Sequence, residues 1–174
     1  GGVFNPATAG VGTHTLTYTY SDANGCSNSN TTTITVNATP TLTITNPAAV
    51  CAPGTVDITA GAVTTGSTLQ GGTLTYWTDA SATNALSTPS AVAASGTYYI
   101  KVTTAAGCTD IKPVTVTINP KPVITMPTLS AVCANANTVT LSGATPAGGT
   151  WSGPGVSGGV FNPATAGVGT HTLT

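Results

Sequence analysis

The 174-residue chain carries seven charged side chains, Asp22, Asp57, Asp79, Asp110, Lys101, Lys112 and Lys121, with no Glu and no Arg, for a net charge of −1. That balance excludes a basic patch for nucleic acid and a Lys/Arg cluster for anionic lipid, and no apolar run approaches the ~18 residues that span a bilayer. Thr, Ser and Asn must carry the solubility, and 21 Gly and 12 Pro in a Thr-rich chain point to strands and turns rather than helices.

Period-two alternation predicts the strands in chain order. In Thr13 to Tyr20 one face holds His14, Leu16, Tyr18 and Tyr20, and the other only Thr. Thr32, Ile34 and Val36 share a face. Val56 and Ile58 flank an outward Asp57. Tyr98, Ile100 and Val102 point one way while Tyr99, Lys101 and Thr103 point the other, which makes Tyr99 an outward aromatic. Val114, Val116 and Ile118 alternate with polar residues, and Val139 and Leu141 flank Thr140. One buried and one wet face is the signature of antiparallel sandwich strands.

A repeat runs through these elements. Residues 1–17, GGVFNPATAGVGTHTLT, recur letter for letter at 158–174, an offset of 157 residues. Identity over that length predicts one period, plus an overlap, of a tandem array that continues in both directions.

Two module types emerge within the period. Ala131-Val132-Cys133-Ala134 matches Ala49-Val50-Cys51-Ala52, and each is followed by a short β run, a Gly-Gly-Thr and a Trp (Trp151, Trp77). Each module ends on a long strand, a Gly-Cys turn and a last strand, at residues 12–37 and 96–119. Gly25 and Gly107 supply the positive φ that such hairpin turns require. Pro40, and Pro120 with Pro122, stiffen the junctions. The expected domains are 1–38, the C-terminal part of module A from the preceding copy; 39–119, a complete module B; and 120–174, the N-terminal part of the next module A.

Four cysteines in equivalent positions, with no CxxC spacing, predict one disulfide per module rather than a metal site. Cys51 would pair with Cys108 inside module B. Cys26 and Cys133 would each pair with the adjacent repeat copy and not with each other. Reduced structural cysteine is the competing reading. A staple suits a module of about 80 residues, whose core is thin, and would place the chain in an oxidising compartment.

The string GGTWSGPGVSGGVFNPATAGVGTHTLT at 148–174, continued by YTYSDANGCSNSNTTTITV at 18–36, resembles the immunoglobulin-like or PKD-like repeats of very large surface and secreted proteins of Bacteroidota. AVCAPGTVDITA, LTYWTDAS and ASGTYYIKVTTAAGCTDIKPVTVTINP are similar to the companion immunoglobulin-like domain of those proteins. The resemblance implies all-β tandem immunoglobulin-like antiparallel β-sandwich domains and export by the type IX pathway. It also implies roles in adhesion, biofilm, gliding or fibre formation outside a Gram-negative cell. Cys26 and Cys108 depart from antibody domains by lying at the last hairpin turn.

Catalysis finds no support. The four aspartates are isolated, and acid–base work needs two carboxylates converging in a cleft. Asp57 and Asp110 read as solvated flanks of strands. His14, repeated as His171, has no ligand or base partner at suitable spacing and reads as structural. The Gly-rich GATPAGG and SGPGVSGG lack a P-loop Lys or a strand–helix frame and read as loops. Asp22 with Asn24 is the one calcium candidate, against an Asx turn, and no cofactor is expected. Three classes follow: a stalk or filament whose partners are neighbouring repeats, an adhesin for surface polysaccharide or other cells, and a non-catalytic spacer of a secreted hydrolase.

Overall fold

The computed structural model describes residues 2–174, whose regular structure is mostly strand, with two single-turn α-helices and one 3-10 turn at Gly61–Thr64. The chain divides into two compact units that part between Asn119 and Pro120.

In the first unit, helix α1 (Pro6–Ala9) is capped by the Asn5 side chain, which accepts the Ala7 N–H at 3.0 Å. Strands β1 (Gly12–Ser21) and β2 (Ser27–Val36) then form a hairpin in their own two-stranded sheet. His14 sits opposite Ile34, Leu16 opposite Thr32 and Tyr18 opposite Asn30. The turn from Asp22 to Cys26 closes through Asp22 N–H to Cys26 O at 2.9 Å, with Gly25 at φ 82°.

The remainder of this unit holds β3 (Val50–Cys51), β4 (Thr73–Trp77), β5 (Gly96–Thr103), β6 (Thr109–Val116) and β7 (Ile118–Asn119). β4, β5 and β6 form one antiparallel sheet, and β3 pairs with β7 in parallel. Ile100 and Val102 on β5 and Val114 and Val116 on β6 face inward, as their alternation predicts, and are fully or almost fully buried. They close a core with Leu42, Val56, Ile58, Val63 and Val92. Val56 and Ile58 reach it from irregular backbone rather than from a strand. Val56 makes an isolated bridge with Val92, and the Ile58 N–H donates to Pro89 O at 3.0 Å.

The second unit holds β8 (Val139–Thr140), β9 (Val156–Ser157), β10 (Val160–Phe161) and α2 (Pro163–Ala166), with β10 between β8 and β9. Leu141 is the one buried aliphatic side chain among its described residues.

Val160–Phe161 and residues 12–17 are strand in one copy only, but the capped helical turn of the duplicated segment folds alike in both places. Asn5 and Asn162 cap with φ −108° each, and Gly10 and Gly167 end the helices at φ 81° and 82°. His14 Nε2 lies 2.9 Å from Gly10 O, and His171 Nε2 lies 2.9 Å from Gly167 O. Local capping and Gly-ended turns are enough to set this conformation whatever surrounds it.

Candidate functional site

Two surfaces gather apolar residues that no closed core covers. On the β1–β2 hairpin, Leu16, Tyr18, Tyr20 and Ile34 are exposed, with Tyr18 at 72%. Their register positions put them on the face that the equivalent hairpin β5–β6 buries. In the second unit an open groove of about 730 Å³ is lined by Leu129, Val132, Val139, Leu141, Phe161 and Leu173, among others. Its rim already carries the start of a strand, because Thr174 and Ser152 exchange two backbone hydrogen bonds of 2.8 Å. The counterpart in the first unit is β4 pairing with β5, where Trp77 sits opposite Tyr99.

Glycines report the same difference. Gly71 and Gly148, the first glycines of the two Gly-Gly-Thr strings, both have positive φ (70° and 93°). A Cβ on Gly72 would meet Val102 Cγ2 at 2.7 Å and Thr103 O at 2.9 Å, so β5 presses directly on it. A Cβ on Gly149 would meet nothing within 4 Å.

The outer face of β4–β5–β6 carries a second feature. Trp77, Tyr99 and Pro113 stand side by side across the three strands, on the face opposite the core-packed Tyr76. Trp77 and Tyr99 are half-buried, and the Trp77 indole N–H donates to Thr75 Oγ1 at 2.9 Å.

No two of the four cysteines are bonded within this chain, and the strand directions speak against the expected Cys51–Cys108 pair. Cys51 cannot reach Cys108, because its strand runs parallel to the last one. The Leu42 N–H donates to Asp110 Oδ2 at 2.8 Å, the Thr115 N–H to Asn46 Oδ1 at 2.8 Å, and the Ala52 N–H to Asn119 O at 2.9 Å. Cys51 therefore sits beside Asn119, and Cys108 sits in the β5–β6 turn at the other end of β6. The extended chain between them covers roughly 30 Å at ~3.3 Å per residue, whereas a disulfide needs Cα atoms about 4.4–6.8 Å apart. Cys26 and Cys133 are both exposed and unbonded within this chain, and the partners expected for them belong to adjacent repeat copies.

Each aspartate has a local task. Asp22 Oδ1 accepts the N–H groups of Asn24 and Cys26, at 2.9 and 2.8 Å, which makes it an Asx-turn residue. Asp57 accepts the Thr59 hydroxyl at 2.6 Å, and that bond chiefly holds its carboxyl below the ordinary aspartate range. Asp110 is not the solvated flank expected from its sequence context, since it ties the first segment of the module to β6 through Leu42. Asp79 gathers the N–H groups of Ser81, Thr83 and Asn84 and the Thr83 hydroxyl. The Asn84 N–H is the main cause of its lowered pKa. Sequence reasoning passed over this loop, although small polar residues two and four positions after an Asp are a legible Asx-turn signal. His14 lies at the hairpin edge beside Phe4, with ring centroids 5.7 Å apart.

No cluster of three or more His, Cys, Asp or Glu that could hold a metal occurs among the described residues. Among them, no helix is long and apolar enough to cross a membrane. No protein-family model matches the chain, and no curated protein matches it, so its function must be argued from the surfaces described above.

Proposed function

We propose that the chain is one period of a tandem array of immunoglobulin-like β-sandwich modules. The array serves as a secreted extracellular stalk or filament for surface adhesion, biofilm or gliding, as in the Bacteroidota proteins its strings resemble, and it has no catalytic role. The observation that carries this reading is the match between the exposed apolar face of β1–β2 and the open groove beside Thr174. The 17-residue segment at each of them is identical in sequence, and its capped helical turn is alike in both places. In the first copy it leads into the hairpin; in the second it lines the groove. A hairpin supplied by the next repeat would complete module A as β5–β6 completes module B. Function then resides in length and stiffness, with neighbouring repeats as the principal partners.

The test is the size of the native protein under reducing, denaturing conditions, together with electron microscopy of the intact material. A polypeptide many times 16.9 kDa that yields the same peptides throughout, and appears as a beaded fibre, supports the array. A ladder that collapses to one short species overturns the continuous chain and leaves hairpin exchange between separate subunits.

A second reading, in which the repeats themselves bind surface polysaccharide, is favoured by Trp77 and Tyr99 standing opposite each other on an outer sheet face. Adjacent aromatic faces offer apolar area with polar tips. Loss of polysaccharide retention on an affinity column in Tyr99→Ala would support it, and unchanged retention would remove it.

A further inference from the structure

The cysteines follow a spacing that the fold turns into a position. Cys26 precedes Asn37 by 11 residues, Asn37 precedes Pro40 by three, and Pro40 precedes Cys51 by 11. Cys108, Asn119, Pro122 and Cys133 repeat the same 11, three and 11. Every junction between modules is thus flanked symmetrically by a hairpin-turn cysteine before it and a first-segment cysteine after it.

In module B the strand directions place these two cysteines at opposite poles. Cys108 lies in the turn two residues before Asp110, which holds Leu42, so it stands at the pole where the chain enters near Pro40. Cys51 stands where the chain leaves, paired with Asn119. The Ser95 hydroxyl fixes that pole by accepting the Ile118 N–H at 2.7 Å and donating to Ile118 O at 3.0 Å. Module A has the same spacings and an identically closed turn at Cys26, so its turn cysteine marks its N-terminal pole and Cys133 its C-terminal pole.

We infer that the cysteines close disulfides across successive module junctions rather than within modules. Cys51 pairs with the counterpart of Cys26 one period on, and Cys133 pairs with the counterpart of Cys108 one period on. This rests on the tandem-array reading. Along the chain path, Cys51 is level with Asn119, and the next turn cysteine is level with the Pro122 position. Three linker residues separate the two levels, at most roughly 10 Å at 3.3–3.6 Å per residue. That is about a third of the distance inside a module, so the chain path suits a disulfide across the junction far better than one within a module. Both poles are open to an oxidant, since Cys26, Cys51 and Cys133 are exposed and Cys108 is partly so. Each Sγ gives up its proton and one S–S bond forms. The electron pair passes to the disulfide of a thiol–disulfide oxidoreductase, which leaves as a dithiol. The bonds would lock each junction against bending while leaving every core free of covalent ties.

The experiment is disulfide mapping of the native protein. Trypsin is unsuitable, because Lys112 and Lys121 precede proline. Pepsin cuts elsewhere, at a pH that suppresses exchange of thiolates. After blocking of free thiols and digestion without reduction, mass spectrometry is expected to find Cys51 peptides linked to Cys26 peptides, and Cys108 peptides linked to Cys133 peptides. Both links should disappear on reduction. In one copy Cys26 and Cys51 mark the far poles of two successive modules, so their link arises only with an offset of one period. Links of Cys51 to Cys108 or of Cys26 to Cys133, or four blocked free thiols, overturn the inference. A long chain in the reduced sample with those wrong links removes this inference alone, whereas a single short species removes the array reading beneath it.

Discussion

Asp110 Oδ2 accepts the backbone N–H of Leu42 at 2.8 Å, joining positions 68 residues apart where the chain enters module B. The carboxylate is only 22% exposed, and its other oxygen accepts the Ile111 N–H. A charged acceptor on a part-buried amide contributes about 1.5–3 kcal/mol. Asp110→Ala should lower stability by about 1–2 kcal/mol in urea melts, while Asp110→Asn, which keeps an acceptor oxygen, should lose less. Equal losses in the two variants would mean that charge rather than the hydrogen bond matters here.

The two Gly-Gly-Thr strings give a matched pair of tests. Gly72→Ala drives a methyl into Val102 Cγ2 and two backbone oxygens at 2.7–2.9 Å, and overpacking of this kind costs about 1–3 kcal/mol. Gly149→Ala meets nothing within 4 Å in this chain and should be close to neutral. In a chain of two or more periods it should become destabilising, because the completing strand would press on Gly149 as β5 presses on Gly72. Neutral behaviour of Gly149→Ala in the longer chain would contradict completion of module A.

Core truncations should separate the modules in the same way. Val102 is fully buried, and Val102→Ala removes two methylene equivalents from a closed core, for a loss of about 2–3 kcal/mol. Leu16, on the corresponding face of β1, is 36% exposed, so Leu16→Ala should change thermal unfolding of the single-period chain little. The same substitution in tandem repeats should approach the Val102 value.

Acid should weaken module B through its turns. Asp79, held by the Asn84 N–H first and by Thr83 and Ser81 after it, has its folded pKa below the ordinary 3.8, as does Asp57 through the Thr59 hydroxyl and N–H. A depressed folded pKa means that the stabilisation is complete above 3.8 and is lost as pH falls through the lower, folded value. Unfolding midpoints should therefore hold from neutral pH down to about 5 and decline below about 4. Both carboxylates face solvent, so the decline should be shallow and weaker in high salt. Asp79→Asn should flatten part of it; an unchanged acid slope would assign the decline elsewhere.

How much of this was legible in the sequence varies by element. The inward faces of β5 and β6 followed from alternation, because a strand has only two faces and one must leave water. The Gly-Cys turns followed from the positive φ that a tight turn demands. Val56 and Ile58 were recognised as core residues but not as irregular backbone, since a two-residue alternation carries no information on which carbonyls its amides will find. Asp110 was misjudged because its partner lies 68 residues away.

The sequence by itself determined the 157-residue offset between the duplicated segments, the β character of the chain and the capped helical turn within each segment, all of which rest on local pattern, capping and turn chemistry. Only the tertiary structure decided where the cysteines stand. Equivalence of Cys51 and Cys133, or of Cys26 and Cys108, says that the modules are alike but not which cysteines are near each other. That depends on β3 running parallel to β7, a pairing between segments 68 residues apart. Backbone hydrogen bonds form in either direction with similar energy, so the direction is set by the whole core. Here it carries Cys51 to one pole and leaves Cys108 at the other.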